Sequence, residues 1–152
     1  MGDRSPFRHA RADDSAGFLL FKLTTLWQRT LGGIFRELGL TQTQYAILAS
    51  LRWHEEHQQP TTQTVLAEHA RIEPMTLSKA IRKLEQARML KRDASVADSR
   101  AMTVRLTATG RTLTQSAVVA IEQADEEFFG CLNDRELESY KRVVRALVAG
   151  NA

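Results

Sequence analysis

Residues 62–107, TQTVLAEHARIEPMTLSKAIRKLEQARMLKRDASVADSRAMTVRLT, carry the pattern that decides the fold. Thr62 is a sound N-cap, since its hydroxyl can accept from an orphan backbone N–H one turn into a helix running to Ala70. Glu73-Pro74 opens a second helix, with Pro74 at the first helical position, where its missing N–H costs nothing. That helix is expected to reach about Arg88 and to turn Leu77, Ile81 and Leu84 inward. The period then changes. Apolar and polar residues alternate strictly over 103–107, the mark of a half-buried strand. Residues 90–92 supply its antiparallel mate, and 93–101, too long for a tight turn, form an extended hairpin loop.

Two short helices joined by a tight turn and followed by a hairpin make a winged helix-turn-helix, whose second helix fits the major groove of DNA. Thr76, Ser78, Lys79, Arg82 and Lys83 lie mostly away from the buried stripe of that helix. Short hydroxyls and basic groups together suit base edges and phosphates. The charge distribution agrees. The net charge is only +3, yet residues 61–112 hold ten basic and five acidic groups. Residues 1–60 carry seven and six, and residues 113–152 carry four and seven. A basic island between neutral and acidic flanks points to one face meeting a polyanion. The bland alternative is a solvated charged face.

Outward from this centre the chain is helical. Residues 1–14 are polar and without periodicity, and are expected to form a mobile arm. From residue 15 to 38, Leu20, Leu23, Trp27, Leu31, Ile34 and Leu38 recur at spacings of three and four. Phe18, Leu19, Phe21, Leu26 and Phe35 surround much of the remaining circumference, so this helix should be buried on most sides. In a chain of 152 residues that implies a second copy covering it, and a homodimer is expected. Gly39 is a plausible C-cap. Residues 41–56 form the next helix, with Tyr45, Leu48 and Leu51 along one side, and Pro60 breaks the chain after it. Thr109-Gly110 precedes a long helix with Leu113, Ala117, Ile121, Ala124, Phe128 and Leu132 on one face. Asn133 or Asp134 caps a last helix carrying Leu137, Tyr140, Val144 and Leu147. The fold expected is mostly α with a small β-hairpin wing. Residues 15–152 form one domain, with the winged lobe at about 41–110 and dimerisation helices at about 15–38 and 111–149.

The ordered set of motifs is similar to a known family. Gly39-Leu40-Thr41 with Gln44-Tyr45-Ala46-Ile47-Leu48 resembles the start of the second helix in MarR-type (multiple antibiotic resistance) transcription regulators. Leu66-Ala67-Glu68, Glu73-Pro74-Met75-Thr76, Leu84-Glu85 and Leu90 resemble their helix-turn-helix. Asp98-Ser99-Arg100-Ala101, Val104, Leu106-Thr107 and Gly110 resemble their wing and the entry to the following helix. The resemblance covers the chain from about Ser15 onward. It implies a symmetric dimer that represses or activates at a pseudo-palindrome of double-stranded DNA. It also implies that Arg100 enters the minor groove, whose negative potential attracts arginine, and that Asp98 shapes the loop. A pocket for a small, flat, weakly acidic aromatic effector near Trp27, Tyr45 and Trp53 rests mainly on the same resemblance. Three departures stand out. Arg71 occupies a turn position where a glycine is common, Glu73 reads as a poor N-cap, and Asp93 and Ser95 lower the charge at the base of the wing.

Other residues read more plainly. His54 and His57 share a helix face, but they lack metal-site spacing and partners, so an exposed helix end is expected and neither metal nor cofactor. His69 is read as packed or exposed. Cys131 is the single cysteine; it is expected to be a small packed residue, and the chain to reside in a reducing cytoplasm. No uncharged apolar run approaches the ~20 residues of a membrane span. No nucleophile elbow or phosphate-cradling glycine loop suggests an enzyme. Two functions compete: a dimeric regulator binding operator DNA, and a winged-helix module used only for protein–protein assembly. The basic island favours DNA.

Overall fold

The computed structural model describes residues 6–94 and 102–151. A 3-10 turn at Ala12–Asp14 leads into α1 (Ala16–Leu38), α2 (Gln42–Glu56), α3 (Gln63–Ala70) and α4 (Pro74–Gln86). The strands β1 (Leu90–Ala94) and β2 (Met102–Leu106) follow, then α5 (Ala108–Phe129) and α6 (Asp134–Asn151). Polar side chains set the helix starts. Ser15, Thr41, Thr62 and Thr107 each accept from the backbone N–H three residues on, and Thr41 forms a reciprocal capping box with Gln44. Asn133 and Glu136 cap α6 in the same reciprocal way. Gly39 closes α1 in the left-handed region at φ 65°, where glycine carries no Cβ penalty.

The core belongs to the winged lobe. Ile47, Leu48 and Leu51 of α2 meet Leu66 of α3, Leu77, Ala80, Ile81 and Leu84 of α4, and Leu90, Val104 and Leu106 of the hairpin. Each large aliphatic side chain so buried contributes about 1.5–3 kcal/mol. The hairpin is antiparallel, with Leu90 opposite Leu106 and Ala94 opposite Met102. Thr61 and Thr62 add a short third rung: Thr62 bridges Thr103, and the Val104 N–H donates to the Thr61 carbonyl at 2.8 Å.

The turn between α4 and β1 is fastened to α5. Thr107 donates its N–H to the Met89 carbonyl (3.0 Å) and its hydroxyl to the Arg88 carbonyl (2.7 Å), while accepting from the Gly110 N–H (3.0 Å). A Cβ at Gly110 would stand 1.8 Å from the Met89 carbonyl oxygen, so only glycine permits this approach. Gly110 therefore lies inside the first turn of α5 rather than ahead of it, because Thr107 has already capped the helix.

Several further expectations are corrected. α4 stops at Gln86, since Arg88 turns to φ 59° to lead into the hairpin. β1 continues two residues past Arg92, because Asp93 and Ala94 find partners in Thr103 and Met102. Within the arm expected at 1–14, Ala12–Asp14 is helical and Asp13 pairs with Lys22 at 2.9 Å. His54 is buried, not an exposed helix end. It continues the α2 stripe of Ile47 and Leu51, and its Nδ1 lies 2.8 Å from the Ser50 carbonyl oxygen. Cys131 is exposed rather than packed, because it lies in the connection between α5 and α6. Apart from these corrections, helix α1 buries only Leu31 and Phe35 within one chain, the cover expected for its other faces being that of a second copy.

Candidate nucleic-acid interface

The α4 stripe of Leu77, Ala80, Ile81 and Leu84 is buried, and helical geometry then forces the intervening residues outward. Thr76, Lys79, Arg82 and Lys83 are exposed and Ser78 is half-buried. These cations differ from four others around the lobe. Arg92 bonds Glu85 through Nε at 2.9 Å and ties β1 to α4. Arg111 grips Glu55 with two bonds of 2.9 and 3.0 Å and ties α5 to α2. Arg105 pairs with Asp93 across the hairpin, and Arg52 with Glu56. Lys79, Arg82 and Lys83 form no ion pair among the described residues. Arg52, Arg92, Arg105 and Arg111 are neutralised by carboxylates, whereas Lys79, Arg82 and Lys83 of α4, like Arg71, Arg88 and Lys91 beside it in the chain, are exposed and unpaired among the described residues.

The entry to α4 differs from the expectation of a poor cap. Glu73 Oε1 accepts from the Met75 N–H at 2.9 Å, and Oε2 accepts from the Thr76 N–H at 2.9 Å and the Thr76 hydroxyl at 3.2 Å. The longer glutamate side chain lets each oxygen take a separate amide. The backbone bonds from Met75 and Thr76 hold its carboxyl below the usual range, with a smaller contribution from the Lys79 charge. Arg71 does stand in the left-handed region at φ 51°, ψ 45°, a conformation that costs a non-glycine residue about 1–2 kcal/mol. Met75, which sequence reasoning passed over, is 68% exposed beside Glu73. Its signal was there: it falls off the Leu77–Ile81–Leu84 stripe. Asp98 and Arg100 lie outside the described residues.

The three aromatic residues expected around one effector pocket fall into three separate ring clusters. Trp27 packs edge-on to Phe128 at 5.1 Å, at the junction of α1 and the end of α5. Tyr45 leans on Phe35 at 5.5 Å, and burial, then the Glu122 charge, pushes its phenol up. Trp53 stacks on His57 at 3.9 Å and on His69 at 5.0 Å, with Ser50 Oγ bonding His69 at 3.0 Å. A groove of about 580 Å³ opens instead between the end of α1 and the start of α5, lined by Leu38, Met89, Ala108, Thr109, Thr112, Leu113 and Ser116. A second, of about 470 Å³, shares Ala108, Thr112 and Ser116 and adds Arg52, Arg111 and Gln115. Among the described residues no group of three or more His, Cys, Asp or Glu side chains is arranged to hold a metal ion. No helix among them is long and apolar enough to cross a membrane.

Known proteins share this architecture. The family model of the transcriptional regulators SarA/Rot matches residues 30–117. The HTH-type transcriptional regulator YdcH of Bacillus subtilis is 31% identical over 122 residues, 80% of this chain and 83% of that protein. The HTH-type transcriptional repressor Rv2887 of Mycobacterium tuberculosis is 30% identical over 138 residues, 90% of this chain and 96% of its own. In fold, Staphylococcus aureus MepR, solved as a complex with DNA, superposes with a TM-score of 0.82 at 18% identity, over 93% of this chain and 100% of MepR. Bordetella bronchiseptica BpsR, whose DNA binding is regulated by 6-hydroxynicotinic acid, superposes at 0.79 with 24% identity, over 92% and 97%. The chain belongs to the SarA/Rot family of transcriptional regulators, whose relatives here are HTH-type DNA-binding regulators and not enzymes, and it has the winged helix-turn-helix fold of its structural neighbours.

Proposed function

We propose that the protein binds a pseudo-palindromic operator as a homodimer, with α4 in the major groove and the wing in the adjacent minor groove. The observation that carries this is the α4 surface: Lys79, Arg82 and Lys83 are exposed and free of ion pairs among the described residues, while Arg52, Arg92, Arg105 and Arg111 are neutralised. Thr76, Ser78 and Lys79, nearest the helix start, reach base edges, and Arg82 and Lys83 hold phosphates. In the wing, Arg100 enters the minor groove and Asp98 shapes its loop. Residues 41–110 serve as the DNA-binding lobe, and 15–38 with 111–149 as the dimerisation region. Titration of labelled duplex DNA from 50 to 200 mM salt tests the reading. Neutralised phosphates make affinity fall steeply with salt. Absence of duplex binding at 50 mM would leave the assembly-module reading standing.

Regulation by a small aromatic acid fits the groove between α1 and α5, with Arg52 and Arg111 in the adjoining groove, where an acid would have to compete with Glu56 and Glu55 for them. The ligand dependence of BpsR, a fold neighbour, supports this reading. A phenolic or pyridine carboxylic acid bound there is expected to release operator DNA, and Arg52→Ala to blunt the response. Release that is unchanged in Arg52→Ala would place the ligand elsewhere.

A further inference from the structure

The carboxylate of Glu73 sits in an unusual place for a protein that approaches a polyanion. It lies at the start of α4, the end of the recognition helix that goes deepest into the groove. It is exposed, yet its position is fixed by three bonds, from the Met75 N–H, the Thr76 N–H and the Thr76 hydroxyl. A carboxylate has about four acceptor sites. Oε2 uses two of its sites on Thr76, and Oε1 uses one on Met75, so Oε1 retains one acceptor direction. The same three donors keep the group ionised.

We propose that Glu73 is a specificity-determining residue that accepts a hydrogen bond from the N4 amino group of a cytosine in each half-site. The argument rests on the reading that α4 enters the major groove, and on the code displayed there. Guanine presents two acceptors, O6 and N7; thymine presents the O4 acceptor; adenine presents the N7 acceptor beside its N6 donor. Cytosine alone shows a donor with no acceptor on the same base. An ionised acceptor with one open direction is repelled by the first two, half-matched by adenine and matched by cytosine. A fixed negative charge also costs non-specific affinity, so its gain lies in discrimination. Met75, two residues on and 68% exposed, adds an apolar surface suited to a neighbouring thymine methyl.

Selection of bound sequences from random duplex DNA, with full-length wild type, Glu73→Gln and Glu73→Ser, tests this. Thermal melting of each variant first establishes that it is folded; serine retains a capping hydroxyl if the carboxamide weakens the helix start. Wild type is expected to enrich cytosine at one position per half-site, with a roughly tenfold loss of affinity for other bases there. Glu73→Gln should move that position toward adenine, whose N6 and N7 a carboxamide can bond together. Glu73→Ser should leave it unspecified. The same base preferences for all three proteins would overturn the assignment and leave Glu73 a helix cap alone. Failure of wild type to enrich any sequence, despite salt-dependent binding, would overturn the sequence-specific reading and this inference with it.

Discussion

At the scale of single residues, Gly110 and Glu73 show how one atom more or less changes what a position does. Alanine at 110 adds a Cβ 1.8 Å from the Met89 carbonyl oxygen, which is backbone and cannot swing aside. Overpacking of this kind falls at or above the upper end of the usual range, so Gly110→Ala is expected to cost about 3 kcal/mol. In a chain of this length that lowers the melting temperature by roughly 6–12 °C. A change below about 2 °C by calorimetry would mean that α5 can back away from the turn. Glu73 carries a pH dependence. Its carboxyl is held below its ordinary value of 4.5, first by the bonds from Met75 and Thr76. A group depressed in the folded state adds stability above its unfolded value and loses it as pH falls through the folded one. The stability gap between wild type and Glu73→Gln is therefore expected to be constant above about pH 5 and to narrow below it. Urea unfolding at neutral pH and at pH 3 measures that gap; an equal gap at both would show that ionisation does not hold the cap.

At the scale of elements, α4 is where the proposed function is most directly tested. Lys83 and Arg82 are exposed and form no ion pair among the described residues, so removing either should leave stability within about 0.5 kcal/mol. Each should also reduce the slope of log affinity against log salt by about one unit if it neutralises a phosphate. Arg92→Ala makes the contrast: it frees Glu85, loosens the wing against α4 and should leave a phosphate slope largely intact. A variant pair with unchanged slopes would remove Arg82 and Lys83 from the interface. How far these elements were legible in sequence follows from what fixes them. Helix starts were readable because a single hydroxyl or amide side chain sets each: Ser15, Thr41, Thr62, Asn133. Strand length was not, because Asp93 and Ala94 are in β1 only through partners in β2. Glu73 was misread because its capping depends on side-chain length rather than residue type. Which aromatic rings meet was not legible either. Periodicity places Trp27, Tyr45 and Trp53 on their own helices, but only the packing of α1, α2, α3 and α5 decides which rings meet.

At the scale of the whole molecule, the distribution of exposed apolar side chains is uneven. The core of the winged lobe is closed, whereas Leu19, Leu20, Phe21 and Leu26 of α1 are between 47% and 66% exposed. Val143, Leu147 and Val148 of α6 are between 47% and 59% exposed, and no residue of α6 is buried. Exposed apolar side chains gathered on two helices in this way are suited to an interface. A second copy related by a two-fold axis would cover these helices by an isologous contact. Two recognition helices held about 34 Å apart would then enter successive major grooves on one side of the duplex. Charges placed on both helices, as in Leu20→Glu combined with Leu147→Glu, should split such a dimer because burying a carboxylate in an apolar contact is costly. Sedimentation at micromolar concentration is expected to show a dimer for wild type and a monomer for the double variant. Linking two half-site contacts commonly raises avidity by about 10²–10⁴-fold. The double variant should therefore lose about that factor on a full operator while binding an isolated half-site as wild type does. A wild-type protein that sediments as a folded monomer, or a double variant that retains full operator affinity, would mean that the exposed faces of α1 and α6 serve some other contact.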